Sequence, residues 1–157
     1  MPRACAKIAL MQLYQCKQGS IAGTSYKEII KIARLAYHNI QKRTPRRACY
    51  IRSRQFRKDK IFINQFWDHL NQKTPADRLR RIKLFNCALE VIRNSPYKPE
   101  SLQNPSKPTE TLHRFGGKTK NGELFYVQIK ENNKNSRKYF MSVFPANSIK
   151  SKGLPQV

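Results

Sequence analysis

The spacing of apolar residues changes once along this chain of 157 residues, and the change falls at a proline-rich stretch. Before it, apolar side chains recur at helical spacing; after it, they alternate. Residues 95–110 hold Pro96, Pro99, Pro105 and Pro108 among serines and asparagines, a composition that reads as an extended connection. The expected fold class is therefore α+β: N-terminal helices followed by a small C-terminal antiparallel β-sheet. The expected division is a helical basic region over 1–94, the connection over 95–110, a sheet over 111–146 and a flexible tail over 147–157.

The helical expectations rest on caps and on apolar spacing. Ser25 and Glu28 have the spacing of a capping box, and Ile29, Ile32, Ala33, Ala36, Tyr37 and Ile40 follow on one face of a helix over 25–42. Ile61, Phe62, Phe66, Trp67 and Leu70 predict a second helix over 59–72. Thr74, Pro75 and Asp77 mark the start of a third, which runs to Asn94 with Leu79, Ile82, Phe85, Leu89 and Ile92 inward.

Past the connection the pattern predicts a meander. A short strand over Leu112–Phe115 is turned by Gly116 and Gly117. Asn121-Gly122 is a hairpin signal, and Phe125, Val127 and Ile129 then alternate with Tyr126, Gln128 and Lys130. After a turn at 132–135, Tyr139, Met141 and Val143 alternate with Phe140, Ser142 and Phe144.

Charge narrows the choice of partner. The chain has 32 Lys and Arg against 9 Asp and Glu, a formal net charge of +23 spread along its length. Such a surface repels basic partners and attracts polyanions, nucleic acid first. Residues 42–60 concentrate nine of the positive charges, with Tyr50, Ile51 and Phe56 between them. Arg46, Arg47, Arg52, Arg54 and Arg57 of this run are the candidate phosphate contacts, together with Arg114, Lys120, Lys130 and Lys138 of the sheet. No run of 18 apolar residues predicts a membrane span, and no signal peptide is expected. Four cysteines, Cys5, Cys16, Cys49 and Cys87, lack zinc or disulfide spacing, so a reducing, cytoplasmic setting is expected.

The scarcity of acids bears on chemistry. Over 111–157 the only carboxylates are Glu123 and Glu131, against nine Lys or Arg. Two-metal phosphodiester chemistry needs clustered carboxylates, so no metal and no cofactor are expected. No G-x-S-x-G elbow is present for a serine hydrolase. RNA carries its own nucleophile in the 2′-hydroxyl, so a base, an acid and cations near the phosphate suffice. The segment His113-Arg114-Phe115-Gly116-Gly117-Lys118 offers an imidazole, a guanidinium and an ammonium, with glycines that let backbone amides approach a phosphate.

The segment L-H-R-F-G-G-K-T-K-N-G-E-L-F-Y-V-Q-I-K-E, followed by R-K-Y-F-M-S-V-F-P, resembles the C-terminal nuclease domain of phage and mobile-element toxins. These belong to the barnase–EndoU–colicin–RelE-like superfamily of metal-independent RNases. The resemblance covers residues 110–146 and places His113, Lys118, Arg137 and Ser142 at comparable positions, without a second histidine after His113. It implies an endoribonuclease that forms a 2′,3′-cyclic phosphate. His113 would be the base, Lys118 and Arg137 would neutralise the phosphorane, Ser142 would bond a phosphate oxygen and Tyr139 would orient a base. It also implies an RNA substrate such as tRNA or mRNA and an acidic antitoxin as partner. The competing expectation is a non-catalytic DNA- or RNA-binding protein of a mobile element, working through the helices at 59–72 and 74–94.

Either expectation makes affinity strongly salt-dependent. If about 5–8 phosphates are neutralised, log K against log salt should slope by about −0.7 to −0.9 per phosphate. Reversing the charges of Arg46, Arg47, Arg52 and Arg54 together should flatten that slope in a filter-binding titration; an unchanged slope removes the 42–60 run from the footprint.

Overall fold

The structure is a computed structural model that describes residues 11–44, 46 and 48–146. Arg47 and the expected tail at 147–157 lie outside the described residues, as does Cys5. In chain order the described elements are β1 (Tyr14–Gln15), α1 (Tyr26–Gln41), β2 (Tyr50–Ser53), β3 (Asp59–Phe62), α2 (Gln65–Asn71), α3 (Pro75–Ile82), α4 (Phe85–Asn94), β4 (Glu100–Gln103), β5 (Glu110–Lys118), β6 (Leu124–Asn132) and β7 (Lys138–Pro145).

The expectation of N-terminal helices followed by a small antiparallel sheet is overturned. All seven strands belong to one mixed sheet in the order β1-β5-β6-β7-β3-β2, with β4 also paired to β5. The first described element is a strand, and the helices lie between strands in sequence. Two pairings are parallel: β1 with β5, and β3 with β7 through Ile61–Lys138 and Phe62–Tyr139.

The cause is visible within the basic run. Tyr50-Ile51-Arg52-Ser53 alternates, with Ile51 and Ser53 buried and Arg52 exposed. It pairs antiparallel with 59–62. Arg57 and Lys58 close the connection at φ 53° and 70°. The first residues of the expected 59–72 helix thus gain a ladder on two sides, and helix begins only at Gln65. The expected 74–94 helix divides at Lys83 and Leu84. The Lys83 carbonyl accepts from Ile21 N–H at 2.8 Å, and Leu84 is buried. Thr74 caps α3 as its sequence predicts, accepting from Asp77 N–H at 3.3 Å. Ser25 makes no side-chain cap at α1.

The C-terminal meander forms, with two corrections. Gly116 and Gly117 do not turn the chain, because β5 continues through them to Lys118. A Cβ on Gly117 would lie 2.5 Å from Phe125 Cζ, and one on Gly116 would lie 2.6 Å from Leu13 Cδ2. The glycines admit neighbouring side chains over the strand; they are not a phosphate loop. The second correction is in β7. Gln128 pairs with Ser142 but Ile129 pairs with Phe140, so Met141 is an extra, bulged residue. Beyond it the alternation reverses, and Ser142 shares a face with Tyr139, not with Phe140.

The inner face of the sheet carries the core. Phe140 stacks on Phe66 of α2 with centroids 4.7 Å apart and planes 7° apart. Phe85 of α4 packs beside Phe66 at 5.1 Å. Phe115, Phe125, Val127, Ile129 and Val143 complete this face. Cys16, Cys49 and Cys87 are buried free thiols. The outer face has a smaller cluster of Tyr126, Phe144 and Ala146 beneath Met11, Leu13 and Leu124.

Gly117→Val should destabilise the protein by roughly 1–3 kcal/mol, since the buried Phe125 ring has to move. Chemical denaturation checks this. An unchanged midpoint would show that the close approach of ring to strand is not needed.

Candidate functional site

Polar and charged side chains gather on both faces of the sheet, and the register decides which belong together. On the inner face, His113 of β5 is 8% exposed. Its Nδ1 lies 2.6 Å from Ser101 Oγ on β4 and its Nε2 lies 2.8 Å from Glu131 Oε1 on β6. Lys138 Nζ lies 4.0 Å from Glu131 Oε2 and 2.9 Å from Asp59 Oδ2. The Phe56 ring meets the His113 ring edge-on at 5.0 Å, and Lys138 Nζ lies 5.1 Å from its centroid. Both imidazole nitrogens therefore have partners, and Lys138 is buried in ion pairs.

The outer face is arranged differently. Arg114 Nε donates to Gln128 Oε1 at 2.9 Å. Gln128 is paired across the strands with Ser142, whose Oγ accepts from Arg81 Nη1 of α3 at 2.5 Å. Both guanidinium groups lie against the Phe144 ring, at 5.4 Å for Arg81 and 5.6 Å for Arg114. Asp77 anchors Arg81 at 3.2 Å and Arg80 at 3.1 Å. Burial alone would raise the Asp77 carboxyl, but these two cations hold it below the usual carboxylate range. Burial lowers the Arg114 guanidinium, while Tyr126 and Glu100 act in the opposite sense. Gln128 Nε2 is buried without a hydrogen-bond partner among the described residues.

Beside this cluster runs a row of side chains in direct register. Tyr50 pairs with Phe62, Phe62 with Tyr139, and Tyr139 with Lys130. Ring centroids are 6.1 Å apart for Tyr50–Phe62 and 5.8 Å apart for Phe62–Tyr139. Cations border every ring. Arg52 and Lys60 lie 5.6 and 4.8 Å from the Tyr50 centroid, Arg137 lies 5.6 Å from Phe62, and Lys130 lies 5.2 Å from Tyr139. Lys130 also approaches Glu110 at 3.7 Å. The three rings are only partly buried, so each offers a face to a ligand.

The candidates from sequence therefore separate. Arg137, Tyr139, Ser142, Arg114, Lys130 and Arg52 share the outer face, whereas His113 and Lys138 lie on the inner one. Lys118 and Lys120 are exposed at the far end of β5. Six residues separate Lys118 from the strand position beside Lys130, about 20 Å of extended chain. Arg46, Arg54 and Arg57 are exposed around the two ends of β2. Sequence reasoning did not single out Arg81, Gln128, Phe62, Ser101 or Glu131 for a site. The alternation of 50–53 and 59–62 is the signal that places Phe62 beside Tyr50.

Among the described residues, no three His, Cys, Asp or Glu side chains converge as a metal site. No described helix is long and apolar enough to cross a membrane. Comparison with known protein families finds no match. The same holds for curated proteins and for solved structures.

Proposed function

We propose that the protein binds single-stranded RNA on the outer face of its sheet and cleaves it without a metal ion. The observation that carries this reading is the Arg81–Ser142–Gln128–Arg114 cluster, standing beside a cation-bordered aromatic row on the same face. A 2′-hydroxyl attacking the adjacent phosphorus builds negative charge on the phosphoryl oxygens. Arg114, half-buried, is the cation beside that position, and the buried Gln128, Ser142 and Arg81 hold it there from behind. Tyr139 stacks on a neighbouring base, and Arg137 holds the strand beyond it. As the 2′-oxygen bonds to phosphorus its proton passes to water, the P–O5′ bond breaks, the 5′-oxygen takes a proton from water, and the products are a 2′,3′-cyclic phosphate and a 5′-hydroxyl.

The cytoplasm is the proposed setting. An acidic antitoxin is the proposed protein partner, since a carboxylate-rich surface would cover the arginine cluster and the row together.

One observation favours a second reading, a non-catalytic nucleic-acid-binding protein. His113 lies on the inner face with both ring nitrogens engaged, away from Ser142 and Arg114. Acting as base would require it to exchange Ser101 or Glu131 for substrate.

Incubation with end-labelled RNA separates the readings. Cleavage should persist in EDTA, leave a 2′,3′-cyclic phosphate and fail when the cleaved nucleotide is 2′-deoxy. Arg114→Ala should lower cleavage by about 10²–10³-fold and weaken binding. A loss of about 10²–10⁴-fold in His113→Ala at unchanged affinity would assign the base to His113. Binding without cleavage would leave the second reading, and no binding would refute both.

A further inference from the structure

The aromatic row does not end at open solvent. Tyr50, its last member, also lines a pocket of about 320 Å³ at the edge strand β2. Three elements build this pocket: the chain leaving α1 supplies Arg43 and Thr44, the last turn of α4 supplies Arg93, and β2 supplies Tyr50 and Arg52. None of the described lining residues is acidic. Three arginines therefore line it with Thr44, Tyr50 and Ile40; Arg52 also donates from Nη1 to the Lys58 carbonyl at 2.9 Å.

The ordinary explanation for arginines at these places is the helix dipole. The C-termini of α1 and α4 each present about half a negative charge, and cations there are stabilising. Two such ends balance about one of the three positive charges, and Glu90, which borders Arg43 and Arg93 in the adjoining cleft, offsets about one more, which leaves about one over. Burial disfavours the charge on Arg93, and the neighbouring Arg43 cation adds to that effect. A bound anion would reverse that repulsion, and guanidinium groups match phosphate in shape and charge.

We propose that the Arg43–Arg52–Arg93 pocket seats a phosphate of the same nucleic-acid strand whose bases lie on Tyr50, Phe62 and Tyr139. The inference rests on the outer face being the nucleic-acid surface and adds where the strand is anchored. The phosphate has two possible sources, an internal phosphodiester or a terminal 5′-monophosphate. A terminal phosphate would make the pocket a device that counts nucleotides from the strand end to the Arg114 cluster.

Fluorescence anisotropy with a 2′-O-methyl oligonucleotide, which cannot be cleaved, reads binding alone. Arg43→Gln and Arg93→Gln should each weaken binding about tenfold and lower the salt slope by about one. Arg93→Lys, which keeps the charge, should retain the slope. Lys27→Gln removes a charge at the exposed start of α1 and should bind like the unmodified protein. A 5′-phosphate that tightens binding for the unmodified protein but not for Arg93→Gln identifies the terminal source; equal binding with and without it identifies an internal one, and either supports the pocket. If Arg43→Gln and Arg93→Gln both bind normally while Tyr139→Ala is weakened, the pocket proposal is wrong and the outer-face reading stands. If Tyr139→Ala also binds normally, the outer-face reading itself fails.

Discussion

The bulged residue Met141 sets both the core and the outer face. Before it, β7 directs Lys138 and Phe140 inward and Tyr139 outward; after it, Val143 points inward while Ser142 and Phe144 point outward. Without the extra residue, strict alternation would place either Phe140 or Val143 on the wrong side. Phe140 stacks on Phe66, and Val143 joins the same buried cluster. The shift that satisfies the core is also what brings Ser142 beside Gln128 and under Arg81. Core packing and site geometry thus depend on one residue of register.

The two faces then divide the charge by different means. On the inner face, Lys138 is paired with Asp59 and Glu131, and His113 is hydrogen-bonded to Glu131, beneath Phe56. Such a network satisfies buried groups and leaves little unbalanced charge for a ligand. On the outer face, cations lie over aromatic rings more than against carboxylates. A cation over a ring keeps its charge and is held by about 0.5–1 kcal/mol at an exposed site, so it can turn toward a phosphate at low cost. The ring keeps a face for a base. This difference in how charge is satisfied is the reason to assign the outer face, and not the histidine cluster, to nucleic acid.

Much of the C-terminal sheet was legible because β5, β6 and β7 pair with their sequence neighbours, and local alternation with turn residues such as Gly122 suffices for that. The fold class was not legible. Strands β1, β2, β3 and β4 have two to four residues each, too short for a clear alternation, and the pairings that join β1 and the β2–β3 hairpin to the sheet lie far along the chain, Tyr14 with Gly117 and Phe62 with Tyr139. Ile61 and Phe62 fit a helical stripe as well as a strand; tertiary pairing decided between the two. The site followed the same rule. Arg137, Tyr139 and Ser142 were singled out by the resemblance, in and just before one strand. Their separation from His113 depends on which residue of β5 faces which of β6, and composition carries no such information. Arg81 does not belong to the apolar stripe Leu79, Ile82 and Phe85, yet it is 3% exposed and bonded to Ser142.

The central claim is that nucleic acid lies on the outer face of the sheet. Photocrosslinking with a single-stranded RNA carrying 4-thiouridine at successive positions, followed by mass-spectrometric mapping of the adducts, tests it most directly. The account predicts adducts on Tyr50, Phe62 and Tyr139, with the protein fully folded. Adducts confined to α2 and α3, or to Phe56 and His113 on the inner face, would contradict it.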